Sequence, residues 1–250
     1  MPNLTAHIDI ALDCAEALCH PAIQRNMGAF LLGSCSPDIR IVTRGPRDNT
    51  HFAPISNDTL GAGMAAMFSA YPNLARVRGL SEQTAAFIAG YVSHLLADEA
   101  WIIKVYRPHF GNRAVFEDEM FANVVDRAMQ LDLDRAAAEK RHAFRHITPL
   151  LAQADLGVAV DFLDEALLAE FRGRVSEATQ RPFAWDRLLF AARRQYPQQN
   201  ESAQAMAQRF LDAMPDSLEQ AYERVPRRAI QSFRDAILHE WAMRMRAYLP

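Results

Sequence analysis

The stretch from Ser81 to Pro108 constrains the fold more than any other part of the chain. Phe87, Gly90, Tyr91, His94, Asp98, Trp101 and Val105 recur there at intervals of mostly three and four residues, the spacing that returns to one face of an α-helix. Ser81 followed by Glu82 supplies a cap and a first-turn acid, and Arg107-Pro108 supplies a stop. At about 1.5 Å per residue the predicted helix, 82 to 106, is roughly 37 Å long, the thickness of a domain. A helix that long needs others around it to cover its apolar face.

The remaining sequence has the same period. Alanine accounts for 42 of 250 residues and glycine for only 10, which favours closely packed helices over short strands joined by glycine turns. Ile8, Ala11, Ala15 and Leu18 mark a first helix after a Thr5 cap, ending near His20-Pro21, and a second short one covers Gln24 to Leu32. Gly33 to Asp58, with Pro37, Gly45, Pro46 and Pro54, reads as one long loop, and loops of that length often carry function. A small-residue helix is expected at 59–70, and further helices at 114–131, 133–147, 158–178, 182–195, 201–213, 216–223 and 226–248. Ile39 to Thr43 is the one short candidate for extended chain. The expectation is a single all-α domain over 1–250, with 1–110 as the half bearing the polar motifs and 111–250 as a helical C-terminal half.

Composition narrows the function. With 27 basic and 30 acidic residues the formal net charge is −3, so there is no basic surplus of the kind that tracks nucleic acid. Cys14, Cys19 and Cys35 form no paired C-x-x-C motif, and Met1-Pro2-Asn3 is not followed by a basic-then-apolar leader. Those features predict a cytoplasmic protein with reduced thiols. Charged and histidine residues interrupt every apolar run, so no membrane span is expected.

The chemistry concentrates in the first 110 residues, which hold His7, His20, His51, His94 and His109, five of the eight histidines. His94 and Asp98 stand four apart, which puts an imidazole and a carboxylate on one helical face. That face is apolar, and a carboxylate buried there requires a cation or hydrogen bonds. A hydrogen-bonded His-Asp pair that merely fixes a helix satisfies the same requirement. His7, Asp38 and His51 extend the pair to three nitrogens and two carboxylates, a ligand set suited to zinc or another divalent ion.

Asn3-Leu4-x-x-His7, then Gly28-Ala29-Phe30-Leu31-Leu32-Gly33-Ser34 leading to Pro37-Asp38, then Thr50-His51-Phe52, then Gly90-Tyr91-x-x-His94-x-x-x-Asp98 resemble, in that order, the zinc-dependent phospholipase C family. The resemblance covers about 1–110. It implies an all-α fold of the kind shared with S1/P1-type nucleases, with extra helices at the C-terminal end and zinc ions held between helices to hydrolyse phosphoric esters. Carried over by motif, Asp38, His51, His94 and Asp98 would bind one zinc, and Asp98 would bridge to a second held partly by His7. Asp38 would double as general base. The sequence departs from the secreted members at Lys104, where they carry a Pro-x-His ligand six residues after the aspartate. One or two metal ions are therefore expected rather than three.

His109, His142 and His146 are candidates for an additional ligand, although Lys140-Arg141-His142-x-x-Arg145-His146 reads more simply as a solvated basic face. Arg40 and Arg47, with Arg44, follow Asp38 and are candidates for gripping a phosphate, since guanidinium forks match its oxygens. Trp101, Phe87 and Tyr91 read as core. No nucleotide loop or serine-nucleophile elbow is present. The expected function is metal-dependent hydrolysis of a small phosphoester. The rival is a helical binding or scaffold protein with a structural or degenerate metal site.

Overall fold

A computed structural model describes Met1–Leu249, the side chain of Ala143 excepted. The chain passes through α1 (Leu4–Leu18), α2 (Pro21–Arg25), α3 (Met27–Cys35), a 3-10 turn (Ser36–Ile39), α4 (Arg40–Thr43), α5 (Asp48–His51), α6 (Ala62–Ala70) and α7 (Glu82–Trp101). A π-helix (Ile102–Phe110) extends α7, and α8 (Glu119–Lys140), a 3-10 turn (His142–Phe144), α9 (Thr148–Leu151), α10 (Glu165–Gln180) and α11 (Arg187–Gln195) follow. A 3-10 turn (Pro197–Gln199), α12 (Asn200–Asp212), α13 (Asp216–Arg224) and α14 (Arg227–Tyr248) complete it. Among the described residues there is no strand, and the fold is all-α, as the periodicity predicts.

α7 is the axis. Ser81 caps it, its hydroxyl accepting the Thr84 N–H at 3.0 Å, and every residue from Thr84 to Trp101 is buried. A helix covered on all sides needs neighbours at close range, and α3 comes closest. A Cβ on Gly33 would stand 2.0 Å from the Phe87 carbonyl oxygen, and one on Gly90 would stand 1.9 Å from that of Phe30. Only glycine at both positions lets the two backbones touch. The helix runs past the expected stop, because beyond Trp101 it widens into π-helix through Pro108, with Gly111 N–H bonded to Tyr106 O. The wider turn accommodates a ring that would break an α-helix. Glu82–Phe110 is long and apolar enough to cross a membrane by length and composition, and its apolar window is 94% buried inside the protein.

The C-terminal helices hold this core from outside. α14 lies along α7 and α1: Trp241 Nε1 donates to Ala89 O at 2.8 Å, Tyr248 OH to Leu74 O at 2.9 Å and Arg244 to Leu60 O at 3.1 Å. Arg234 of α14 reaches Asp9 and Asp13 of α1 at 2.5 and 2.6 Å, and Arg141, after α8, also pairs with both. Burial opposes charge on Asp9, but Arg234, Lys140 and Arg141 outweigh it and hold its carboxyl below the usual range.

Several boundaries differ from the periodic reading. The predicted break at 131–133 is absent, because α8 runs unbroken. Its acids serve tertiary partners instead: Asp132 accepts from Tyr222 OH, and Asp134 accepts the Ala6 N–H at 3.1 Å. That second bond caps α1, whose cap position is Asn3 rather than Thr5. Residues 158–164 are not helical; Asp164 caps α10 through the Leu167 N–H. The stretch 33–58, expected as loop or extended chain, contains four short helical pieces: the end of α3, a 3-10 turn, α4 and α5.

Candidate metal centre

His7 leaves the first turns of α1, Asp38 the 3-10 turn after α3, His51 the end of α5, and His94 and Asp98 the middle of α7. The fold brings all five together. His7, His94 and Asp98 offer one ligand atom each within 4.8 Å of one another, and Asp38, His51 and His94 do the same. The residue common to the two trios is His94, whereas the resemblance assigns the shared role to Asp98.

Local structure orients each imidazole. His94 Nδ1 lies 2.8 Å from the Ser34 carbonyl. A carbonyl only accepts, so Nδ1 carries the proton and Nε2 keeps its lone pair for the centre. His51 Nδ1 lies 3.3 Å from the Arg47 carbonyl and 3.2 Å from Thr50 Oγ1, whose own proton is directed to Pro37 O at 2.7 Å. Its Nε2 is therefore also a bare lone pair. Tyr91 OH donates to the Thr50 carbonyl and so ties the His51 turn to α7. Phe52 closes that turn at φ +60°, a strained value for a side chain of its size, and its ring packs on Phe162 at 5.2 Å. The His7 ring lies flat against His94, centroids 3.7 Å apart and planes within 9°.

Four of the five residues are 1–2% exposed, and Asp38 is 27% exposed. Asp98 Oδ1 sits 3.4 Å from His7 Nε2, and Oδ2 sits 3.1 Å from His51 Nε2 and 3.8 Å from His94 Nε2. None of these is aligned as a hydrogen bond: His7 Nδ1 and Nε2, His51 Nε2 and Asp98 Oδ1 have no hydrogen-bond partner. Buried polar atoms are nearly always satisfied. Four such atoms in one cluster fit a divalent ion, and imidazole with carboxylate is a zinc donor set. Burial lowers the His94 pKa well below the usual imidazole range, with the neighbouring His7 adding to it, so the ring is neutral and competent as a ligand.

Arg47 lies elsewhere than a phosphate grip would place it. Its Nη2 is 3.0 Å from Asp98 Oδ2 and its Nη1 donates to Ala53 O at 3.0 Å, so both ends of the guanidinium are committed inside the protein. No sequence spacing links positions 47 and 98, and this pairing escaped the motif reading. So did Ser34 O, Tyr91 OH and Glu99, whose carboxylate accepts the Gly61 and Gly63 N–H groups at the start of α6. Arg40 is partly exposed beside Asp38 in sequence. His109, His142 and His146 belong to neither trio; His142 and His146 are exposed and His109 is partly so.

Comparison with curated proteins and with solved structures yields no match. Comparison with protein families does: the family described as zinc dependent phospholipase C matches residues 6–126. That segment includes all five clustered residues, and over residues 6–126 the chain is thus similar to the zinc-dependent phospholipase C family, as the motifs suggest.

Proposed function

We propose that the protein is a metal-dependent hydrolase of phosphoric esters. The observation that carries the reading is the convergence of His7, Asp38, His51, His94 and Asp98, three of them with buried lone pairs that no protein group satisfies. The family match over 6–126 supports zinc as the metal. A bound zinc ion supplies Lewis acidity, lowering the pKa of water and drawing charge from a phosphoryl oxygen.

The chain's own residues define the rest. His94 and His51, each held through Nδ1, present fixed lone pairs and need little rearrangement to bind. Asp98 supplies buried negative charge that offsets the cation. Asp38 is the one member of the cluster open to solvent. In this reading it takes a proton from an attacking water at a carboxylate oxygen and passes it outward. The surrounding helices exclude bulk water from the other four residues, which strengthens every charge interaction among them.

A chromogenic phosphodiester tests the reading. Zinc-loaded protein should hydrolyse it, a chelator should stop the reaction, and added zinc should restore it. His51→Ala should lose the rate while staying folded, since it removes only the imidazole and leaves the Thr50 bonds that hold its turn in place. A binding or scaffold protein predicts the same background for wild type and His51→Ala on phosphodiesters, phosphomonoesters and phospholipids, and that result would remove the hydrolase reading.

A further inference from the structure

We infer that Arg47 takes the place of a second metal ion, so that this chain builds a centre for one divalent cation. The inference rests on the metal-centre reading above and refines its stoichiometry.

Two observations converge on it. The first is a shortage of lone pairs. Both candidate trios require His94, yet an imidazole offers one lone pair per nitrogen, and Nδ1 is spent on the Ser34 carbonyl at 2.8 Å. Nε2 serves one ion only. A second ion would have to recruit another donor, such as Asp98 Oδ2, 3.1 Å from His51 Nε2. With Oδ2, His51 and Asp38, a second trio would form and Asp98 would bridge two ions.

The second observation is that Oδ2 is already taken by a cation. Arg47 Nη2 lies 3.0 Å from it. This is no swinging surface side chain, because Arg47 is 11% exposed, its Nη1 is bonded to the Ala53 carbonyl and its Nη2 also touches Met1 Sδ. The residue is anchored further by its own turn, where the Arg47 carbonyl accepts from the His51 and Thr50 backbone N–H groups. A guanidinium is permanently charged, so it cannot yield the oxygen by losing a proton.

The division of Asp98 follows. Oδ1, which has no hydrogen-bond partner, faces His7 and is the oxygen offered to the ion, while Oδ2 is reserved for Arg47.

The test is metal stoichiometry, read independently of any catalytic assay. Wild type, Arg47→Gln and Arg47→Lys are each loaded with excess zinc, desalted and analysed for metal per chain. One equivalent is expected for wild type and for Arg47→Lys, which keeps a cation, and two for Arg47→Gln, which frees Oδ2. Cadmium-113 NMR of the loaded wild type should show a single resonance, a measurement that needs no variant to fold. Two equivalents or two resonances in wild type would overturn the inference and leave the metal centre standing. One equivalent in a folded Arg47→Gln would also overturn it, since Arg47 would not be what excludes the second ion. No retained metal in wild type would remove the centre itself, whereas one equivalent without phosphoester hydrolysis would remove only the proposed activity.

Discussion

The imidazole of His7 is stacked on that of His94, 3.7 Å between ring centroids, although one belongs to α1 and the other to the middle of α7. A ligand nitrogen of each lies within 4.8 Å of the other and of an Asp98 oxygen, so the first and the seventh helices together define one side of the centre. α1 can hold this position because Asp134 caps its start and Asp9 and Asp13 lock its middle to Arg141 and Arg234.

Removing either ring should therefore abolish tight metal binding. We expect His94→Ala to lower zinc affinity at least about a hundredfold, because it removes a ligand held by a carbonyl partner. Zinc should raise the melting temperature of wild type and leave that of His94→Ala unchanged, since only bound metal stabilises. His146→Ala, an exposed residue outside both trios, should behave as wild type. Competition with a chromogenic chelator measures all three, and unchanged affinity in His94→Ala would contradict the assignment.

Tyr91→Phe tests the support behind the ligands. The variant loses only the hydroxyl that donates to the Thr50 carbonyl, leaving the aromatic ring in the core. Loss of a supporting hydrogen bond of this type costs about 10- to 100-fold in metal affinity. Circular dichroism should report intact helices while the chelator competition reports the weaker binding. Equal affinity would mean that the His51 turn holds itself in place.

Two glycine substitutions should have opposite signs. Gly90→Ala puts a Cβ 1.9 Å from the Phe30 carbonyl oxygen, so α3 and α7 must separate, at a cost of about 3 kcal/mol or more. Gly173→Ala in α10 meets nothing within 4 Å. It should stabilise the protein by about 0.4 to 1 kcal/mol, by restricting the unfolded chain and favouring helix. Urea denaturation of the pair provides the check, and equal shifts in the same direction would refute the close crossing.

Asp134 gives stability a pH dependence of unusual sign. Burial raises its pKa from 3.8 to about 6, with Arg187, 3.0 Å away, pulling in the other direction. Below 3.8 the group is protonated in both folded and unfolded chains, and burial costs nothing. Between 3.8 and about 6 the unfolded chain releases the proton that the folded chain keeps. Rising pH therefore disfavours the fold, by roughly 3 kcal/mol once above the folded pKa. Asp134→Asn lacks this term. Its stability relative to wild type should climb between pH 4 and pH 6 and then level off; a difference that shrinks over that range would show the carboxylate to be the favoured form.

What could be read from the sequence was what repeats along one helix. The period placed α7, the Ser81 cap worked as written, and His94 and Asp98 were visible because two polar residues broke an apolar face. His7, Asp38 and His51 came from motif order rather than from any spacing. The residues that missed detection are those whose meaning lies across the fold. Arg47 pairs with a carboxylate 51 positions away, and Ser34 supports a histidine 60 positions away. The break expected at Asp132 is absent, and the carboxylates of Asp132 and Asp134 serve partners outside α8. The short turns between 33 and 58 owe their shape to contacts such as Thr50 with Pro37 and Tyr91, not to local preference.

The bonds from α14 to Ala89, Leu74, Leu60, Asp9 and Asp13 have a consequence for how the protein is made. About a hundred residues separate the end of the family-matched segment at 126 from the start of α14 at 227. At roughly 5 to 20 residues per second, a translating ribosome takes some 5 to 20 s to cover that distance. For that interval α1 and α7 are outside the exit tunnel with one flank of each uncovered. The nascent chain then presents the apolar surface that later receives Trp241 and Phe233, a surface suited to transient shielding by a holding chaperone. The contacts that α14 makes with α1 and α7 can form only when the C-terminal helix arrives.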